Sequence, residues 1–260
     1  MKKRMISFSM ALMMVLSLAV SINTVQAEAA PHPAMPSNMP VAQTNGFIAP
    51  IDHTVPSDAV FIKSASDLAA IPGGSAGSGR YYVLANDIHL TAEWVPIEDF
   101  RGTLDGQGHT ISNLFVLSGS NRHNAGLFAT ATASAVIKNL GVNISVLGIS
   151  SGTEHNVVNV GGLIGDSGGS IIINCYVIGT IHGTSNAGLF VVDASARVGG
   201  LVGNSEGSAI TGSYALGSVN ATVSAWTSTR HEGPSAGGLI GSGIGVTITN
   251  SFQRTAFPQR

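Results

Sequence analysis

Charge is the scarcest property of this chain. Asp, Glu, Lys and Arg together make up 10% of its 260 residues, whereas an ordinary globular domain carries about 25%. No basic stripe is available to neutralise phosphates, which argues against nucleic acid as a partner. Cysteine is nearly absent: Cys175 stands alone, so no intrachain disulfide can form. Aromatic residues amount to 6%, too few for the aromatic punctuation that every blade of a β-propeller would show. Beyond the N-terminal segment no run is apolar and long enough to cross a bilayer, and none carries a long helical stripe.

Glycine, in contrast, is abundant at 33 residues, and much of it is periodic. The phrase Gly-Gly-Leu-(Ile/Val)-Gly occurs at Gly161 to Gly165, Gly199 to Gly203 and Gly237 to Gly241, with a degenerate copy at Ala125 to Ala129. Its second residues, Gly126, Gly162, Gly200 and Gly238, recur at an almost constant step. A second phrase, Ile-x-Asn-x-aromatic, travels in phase with it. It starts at Ile111, Ile137, Ile172, Ile210 and Ile248, and is broken at Gly141 and at Gly212.

A period of about 38 residues signals stacked units, each of which buries its apolar face only against its neighbours. Within the period the apolar runs are short, β-branched and bounded by Gly, Asn and Ser, as in Ile171-Ile172-Ile173 and Val246-Thr247-Ile248, which predicts strands. The expected fold is all-β: a single-stranded parallel β-helix, or solenoid. Each repeat is expected to make two coils of roughly 18 to 20 residues, stacked at about 4.8 Å. Gly162, Gly200 and Gly238 would sit at bends, where glycine takes a positive φ cheaply. Leu163, Leu201 and Leu239 would line up inside, as would Ile172, Ile210 and Ile248. Cys175 is expected to be buried, because Ser213 and Ser251 hold its place in later repeats.

Three segments divide the chain. Residues 1–27 read as a secretory signal peptide: a basic start at Lys2-Lys3-Arg4, an apolar stretch, and a small-residue cleavage site at Val25-Gln26-Ala27. Residues 28–57 form a Pro-rich flexible leader, and 58–260 the β-helix. Removal of the signal peptide leaves nine basic against 14 acidic residues, a formal charge of −5. The mature protein is then expected to be secreted, extracellular or on the cell surface, without a membrane span. Ser66 to Ile71 reads as a short capping helix with Ser66 as N-cap, stopped by Pro72-Gly73-Gly74.

These phrases resemble those of secreted and surface proteins that carry GLUG repeats. Such repeats are commonly preceded by a phrase similar to Phe100-Arg101-Gly102-Thr103-Leu104-Asp105-Gly106-Gln107-Gly108-His109-Thr110-Ile111. The resemblance covers roughly residues 60 to 255 and implies the fold. It carries over no catalytic residue, because the motif has none. It implies a bacterial adhesin-like protein or a structural scaffold, since GLUG repeats also accompany immunoglobulin A peptidases as accessory regions.

Signals for chemistry are weak. Gly165-Asp166-Ser167-Gly168-Gly169 and Gly203-Asn204-Ser205-Glu206-Gly207 match the G-x-S-x-G nucleophile elbow, but that elbow needs a single strand-turn-helix site and these recur inside a β repeat. The histidines lack metal-ligand spacing, so no metal and no cofactor are expected. Asp87, Glu93, Glu98, Asp99 and Asp105 crowd into one region and read as solvated turn carboxylates. An alternative function is a polysaccharide lyase or glycoside hydrolase on a right-handed β-helix. It would need facing carboxylates about 5 to 10 Å apart, with Asp99 and Asp105 or Asp87 and Glu98 as candidates and Arg101 as the cation.

Binding is the favoured role. Insertions fall at matching phases of three repeats, Gly148 to Asn156, Thr184 to Arg197 and Ser224 to Ser235, and loops on a rigid scaffold are where recognition concentrates. His155, Arg197, Trp226, Arg230 and His231 are the candidate ligand-binding residues, for a glycan or a surface protein. End-to-end self-association is a further possible partnership, through strand edges at the C-terminal end.

Overall fold

The computed structural model describes residues 54–117, 123–150, 157–187, 194–225 and 233–254. The expected signal peptide and the leader up to residue 53 lie outside them. No helix among the described residues is long and apolar enough to cross a membrane.

Short strands come first: β1 (Val60–Ile62), helix α1 (Ala65–Ala69), β2 (Tyr81–Leu84), β3 (Ile88–His89), β4 (Thr103–Asp105) and β5 (Thr110–Val116). Four strands per repeat then follow. The first set is β6 (Asn124–Ala125), β7 (Phe128–Thr132), β8 (Val136–Lys138) and β9 (Gly141–Ser150). The second is β10 (Val157–Gly161), β11 (Ile164–Gly168), β12 (Ile171–Ile173) and β13 (Tyr176–Ala187). The third is β14 (Ser195–Gly199), β15 (Val202–Glu206), β16 (Ala209–Thr211) and β17 (Tyr214–Ala225). The last is β18 (Pro234–Gly237), β19 (Ile240–Ile244), β20 (Thr247–Thr249) and β21 (Phe252–Arg254).

Every strand pairs in parallel with the matching strand of the adjacent unit, and the protein is all-β with parallel sheets. One sheet runs β1-β2-β4-β8-β12-β16-β20 and another β3-β5-β9-β13-β17-β21. The two remaining sheets, β6-β10-β14-β18 and β7-β11-β15-β19, exist only where the repeats do. This arrangement is consistent with a β-helix.

The pairing does not divide the repeat in two. Ile172 pairs with Ile210 and Ile210 with Ile248, each partner one full sequence repeat away. One repeat is therefore one complete layer, rather than the two short coils expected. The first layers are smaller: Val60 pairs with Tyr82 and Tyr82 with Leu104, little more than half the step of the repeats. The repeat is longer because it adds an excursion through the two extra sheets, and Gly-Gly-Leu-(Ile/Val)-Gly is the bend between them. Chain length alone could not separate a long layer from two short ones.

Glycine is required at that bend for a different reason from the one expected. Gly162, Gly200 and Gly238 are not among the residues with positive φ. What excludes a side chain is proximity. A Cβ at Gly162 would lie 2.5 Å from Val177 Cγ1 and 2.7 Å from Gly200 O, and one at Gly200 would lie 2.1 Å from Gly238 O.

Leu163 and Leu201 are fully buried, and Leu239 is partly so. The Leu163 N–H donates to Leu201 O and the Leu201 N–H to Leu239 O, both at 2.9 Å. Ile172 and Ile210 are buried in the same way, whereas Ile248 in the last described layer is half exposed. Cys175 is buried, its N–H donating to Ser213 Oγ at 3.0 Å, and burial pushes its thiol up to about 12. α1 begins slightly earlier than its sequence suggests. Ser64 rather than Ser66 is the N-cap, its Oγ accepting from the Asp67 N–H at 3.1 Å, and the Lys63 N–H donates to Asp67 Oδ2.

The two breaks in the Ile-x-Asn-x-aromatic phrase have different causes. Asn113, Asn139, Asn174 and Asn250 have φ between 49° and 60°, and Gly212 takes 60° at the same point. That left-handed turn is what the phrase encodes, and Gly212 meets it without a side chain. Gly212→Asn is expected to change stability by under about 1 kcal/mol, whereas Gly212→Val should cost about 2 kcal/mol through strain at positive φ. Urea unfolding of the two variants checks this difference.

Gly141 answers a neighbour instead. A Cβ there would lie 2.2 Å from Tyr176 Cζ, because the Tyr176 ring lies across the glycine and its hydroxyl reaches Thr110 Oγ1 at 2.8 Å. Tyr176, Tyr214 and Phe252 continue as a ladder, with successive ring centroids 5.3 Å apart and interplanar angles of 11° and 8°.

Candidate functional site

The three insertions share a frame. β13 and β17 run in unbroken register from Tyr176 and Tyr214 to Ala187 and Ala225, and Ser150 at the end of β9 pairs with Thr184. The next strands begin equally aligned, Val157 beside Ser195 and Ala196 beside Pro234. The connections 188–193 and 226–232 therefore leave the sheets at stacked positions, 151–156 leaves three residues earlier, and all three re-enter in register. Rigid parallel pairing fixes the stems, since a one-residue slip in any strand would turn its buried face outward.

Of the expected ligand-binding residues, His155, Trp226, Arg230 and His231 lie outside the described residues. Arg197 does not belong to a loop. It lies within β14, in register between Asn159 and Ser235. Asn159 beside it is buried and donates through Nδ2 to Asn124 Oδ1 at 2.9 Å.

Three of the carboxylates before the repeats, Asp87, Asp99 and Asp105, are committed to local structure. Asp105 is not a solvated turn carboxylate: it is fully buried. Its Oδ1 accepts from the Gln107 N–H at 3.0 Å and Asn139 Nδ2 at 3.1 Å. Its Oδ2 accepts from Tyr81 Oη at 2.8 Å and Gln107 Nε2 at 2.9 Å, with Lys138 Nζ at 3.3 Å. Lys138 also stands 5.3 Å from the centre of the Tyr81 ring. Asp99 is held by Arg101, which donates from Nε at 2.9 Å and Nη2 at 2.8 Å. Asp87 Oδ1 accepts from the Thr110 N–H at 2.9 Å, with His109 Nδ1 at 3.2 Å.

A glycosidase pair built on Asp99 and Asp105 therefore fails on access, because Asp105 has no surface to present to a sugar. The two G-x-S-x-G serines fare no better. Ser167 and Ser205 are buried and hydrogen-bonded to other hydroxyls: Ser167 to Ser170 at 2.5 Å and Ser208 at 2.8 Å, Ser205 to Ser208 at 2.6 Å. Activation as nucleophiles would require a base in that position. Among the described residues no three His, Cys, Asp or Glu side chains come together as a metal ion would require.

Sequence reasoning missed a concavity. A groove of about 680 Å³ lies between α1, the turn at Gly73 and Gly74, and the segment from Leu90 to Asp99. Its lining is largely apolar, and Trp94 is anchored there through Nε1, which donates to Leu127 O at 2.9 Å. Only the spacing of Trp94, Val95 and Ile97 among the acids could have hinted at it, and no periodicity marks that stretch.

The family model of the GLUG motif matches residues 194–220, which run through β14, β15, β16 and into β17. Halomucin from Haloquadratum walsbyi is 37% identical over 152 residues. The match takes in 52% of this chain but only 2% of the length of Halomucin. A crystal structure of a candidate immunoglobulin A1 protease from Bacteroides ovatus is 19% identical, with a TM-score of 0.46 over 75% of this chain and 66% of that one. The Gly-Gly-Leu-(Ile/Val)-Gly bends stack layer on layer, and the stretch 194–220, which holds one of them, carries a match to the GLUG motif.

Proposed function

We propose that the protein is a non-catalytic, secreted or cell-surface β-helix that binds a glycan or a surface protein through the segments 151–156, 188–193 and 226–232. The observation that carries this reading is the alignment of their stems: three consecutive connections re-enter at stacked positions, and the last two leave at stacked positions as well. Stacked insertions project from one side of such a scaffold. They carry His155, Trp226, Arg230 and His231, with Arg197 in the strand that follows the second. Trp226 is the anchor of the set, since a tryptophan joins a large apolar face to a polar edge and suits a sugar ring or a protein pocket. The GLUG motif and the similarity to Halomucin support a place at or outside the cell surface.

A glycan array and a panel of surface proteins probed with the mature chain test the reading. Trp226→Ala is expected to weaken whatever binding is found by about 30-fold, the scale of a central aromatic contact, with an unchanged circular dichroism spectrum. Equal binding by the variant would remove these segments as the site. Unsaturated or reducing-end products from pectin or alginate would replace binding with catalysis.

A further inference from the structure

We infer that Asn220 is an acceptor for an N-linked oligosaccharide, a modification site that rests on the reading of the chain as exported and goes beyond its binding role. The chain holds two Asn-x-(Ser/Thr) triplets, Asn143-Ile144-Ser145 and Asn220-Ala221-Thr222, the pattern that marks asparagine for glycosylation in exported proteins. The second triplet is not a by-product of the repeat. In register with Asn220 and Thr222 the preceding layer has His182 and Thr184, and so lacks the asparagine.

The fold separates the two triplets. In β17, Val219 and Ala221 pack against the core, so the alternation of a strand turns Asn220 and Thr222 outward, and both are exposed. On one side β17 pairs with β13 along its whole length, but on the other β21 reaches only from Tyr214 to Leu216. Among the described residues the flank of Asn220 on that side is therefore open, with room for a bulky substituent. Asn143 is enclosed instead. β9 lies between β5 and β13, and Asn143, beside Ile178, is partly buried with its Oδ1 shielded from solvent. A sugar there would meet neighbouring strands on both sides.

The side-chain amide nitrogen is the reacting atom. Other asparagines spend it inside the fold: Nδ2 of Asn139 donates to Asp105, that of Asn159 to Asn124, that of Asn186 to Ser150 and that of Asn204 to Asp166. Asn220 has no such acceptor among the described residues, so a new bond at its Nδ2 costs no internal hydrogen bond. In the transfer, Nδ2 attacks the anomeric carbon of an oligosaccharide carried on a lipid pyrophosphate. The N–C bond forms, the C–O bond to pyrophosphate breaks, the amide loses one proton and the lipid pyrophosphate leaves.

Cell-free translation of the full chain with microsomes, which supply the translocation machinery and an oligosaccharyl transferase, tests the site. Protease protection reads export, and a glycosidase-sensitive gain in mass reads modification. The protected chain is expected to carry one oligosaccharide, whose enzymatic release converts Asn220 to Asp. Asn220→Gln and Thr222→Val should each abolish the gain in mass, Thr222→Ser should retain it, and Asn143→Gln should leave it unchanged. A protected chain without added mass, or a gain that survives Asn220→Gln, would overturn the acceptor site and leave the exported reading standing. A chain that stays unprotected would overturn export, and the site with it. Trp226→Ala should alter none of these readouts, so the binding role is tested separately.

Discussion

Gly203→Ala is expected to destabilise the protein by about 3 kcal/mol, the upper part of the usual range for an overpacked core. A Cβ at Gly203 would lie 2.4 Å from Val160 N, 2.6 Å from Gly165 O and 2.9 Å from Asn159 C. All three are backbone atoms of the preceding layer, so no side chain can swing away to make room. Here β15 presses against β10, two sheets with only backbone between them. Gly165 and Gly241 repeat the contact one layer to either side, at 2.7 Å from Ala125 N and 2.5 Å from Val198 N. Gly207→Ala is the control. Its φ is 75° and nothing lies within 4 Å of its would-be Cβ, so it should lose only about 1 kcal/mol to backbone strain. Urea midpoints of the two variants decide the matter. A Gly203→Ala midpoint no lower than that of Gly207→Ala would mean that the sheets do not approach so closely.

Asp105→Ala is expected to cost about 3 to 5 kcal/mol, the scale on which one partner of a buried ion pair is missed. The loss leaves the mostly buried Lys138 ammonium without its counter-charge and strips Tyr81, Gln107 and Asn139 of an acceptor. Replacing both ends of the pair, Asp105→Leu with Lys138→Met, should recover part of it, because the cost lies in the orphaned charge.

The same group makes stability depend on pH. Burial alone would raise the Asp105 carboxyl, but hydrogen bonds from the Gln107 N–H, Asn139 and Tyr81, together with the Lys138 charge, hold it below its ordinary 3.8. The folded state thus prefers the ionised form. Its contribution is fully present above pH 3.8 and is lost as pH falls through the lower folded value. Thermal melts from neutral pH down into acid should show a smaller acid loss in Asp105→Asn than in the natural chain. Parallel curves would place the acid sensitivity elsewhere.

The expected spacing and strand type agree with the structure because both are local. β-branched runs bounded by asparagine and glycine make strands whatever lies beyond them, and Asn174 or Asn250 takes the left-handed turn by its own chemistry. The break at Gly212 is of the same kind. The break at Gly141 is not: its cause, Tyr176, lies in the next layer. Asp105 looks like a turn carboxylate in the sequence for a sound local reason. It does sit at a turn, and its own neighbour Gln107 does bond it, but Lys138 and Asn139 arrive from the next layer and bury it. The insertions are legible as breaks in the period. Arg197 falls among them in the sequence because a strand that starts at Ser195 cannot be told from a loop by composition.

By itself, then, the sequence determined the period, the strand-forming runs, the position of the bends and the stacking of like residues, all of which follow from chain-local preferences repeated at a fixed interval. Only the tertiary structure decided that one repeat makes one layer, that Gly203 is pinned by the backbone of its neighbour, that Asp105 is buried under Lys138, and that α1 and the Leu90 to Asp99 segment enclose a groove. Each of these joins groups that stand far apart along the chain. Which of the possible pairings forms is settled by packing and burial across layers, and no local preference encodes that choice.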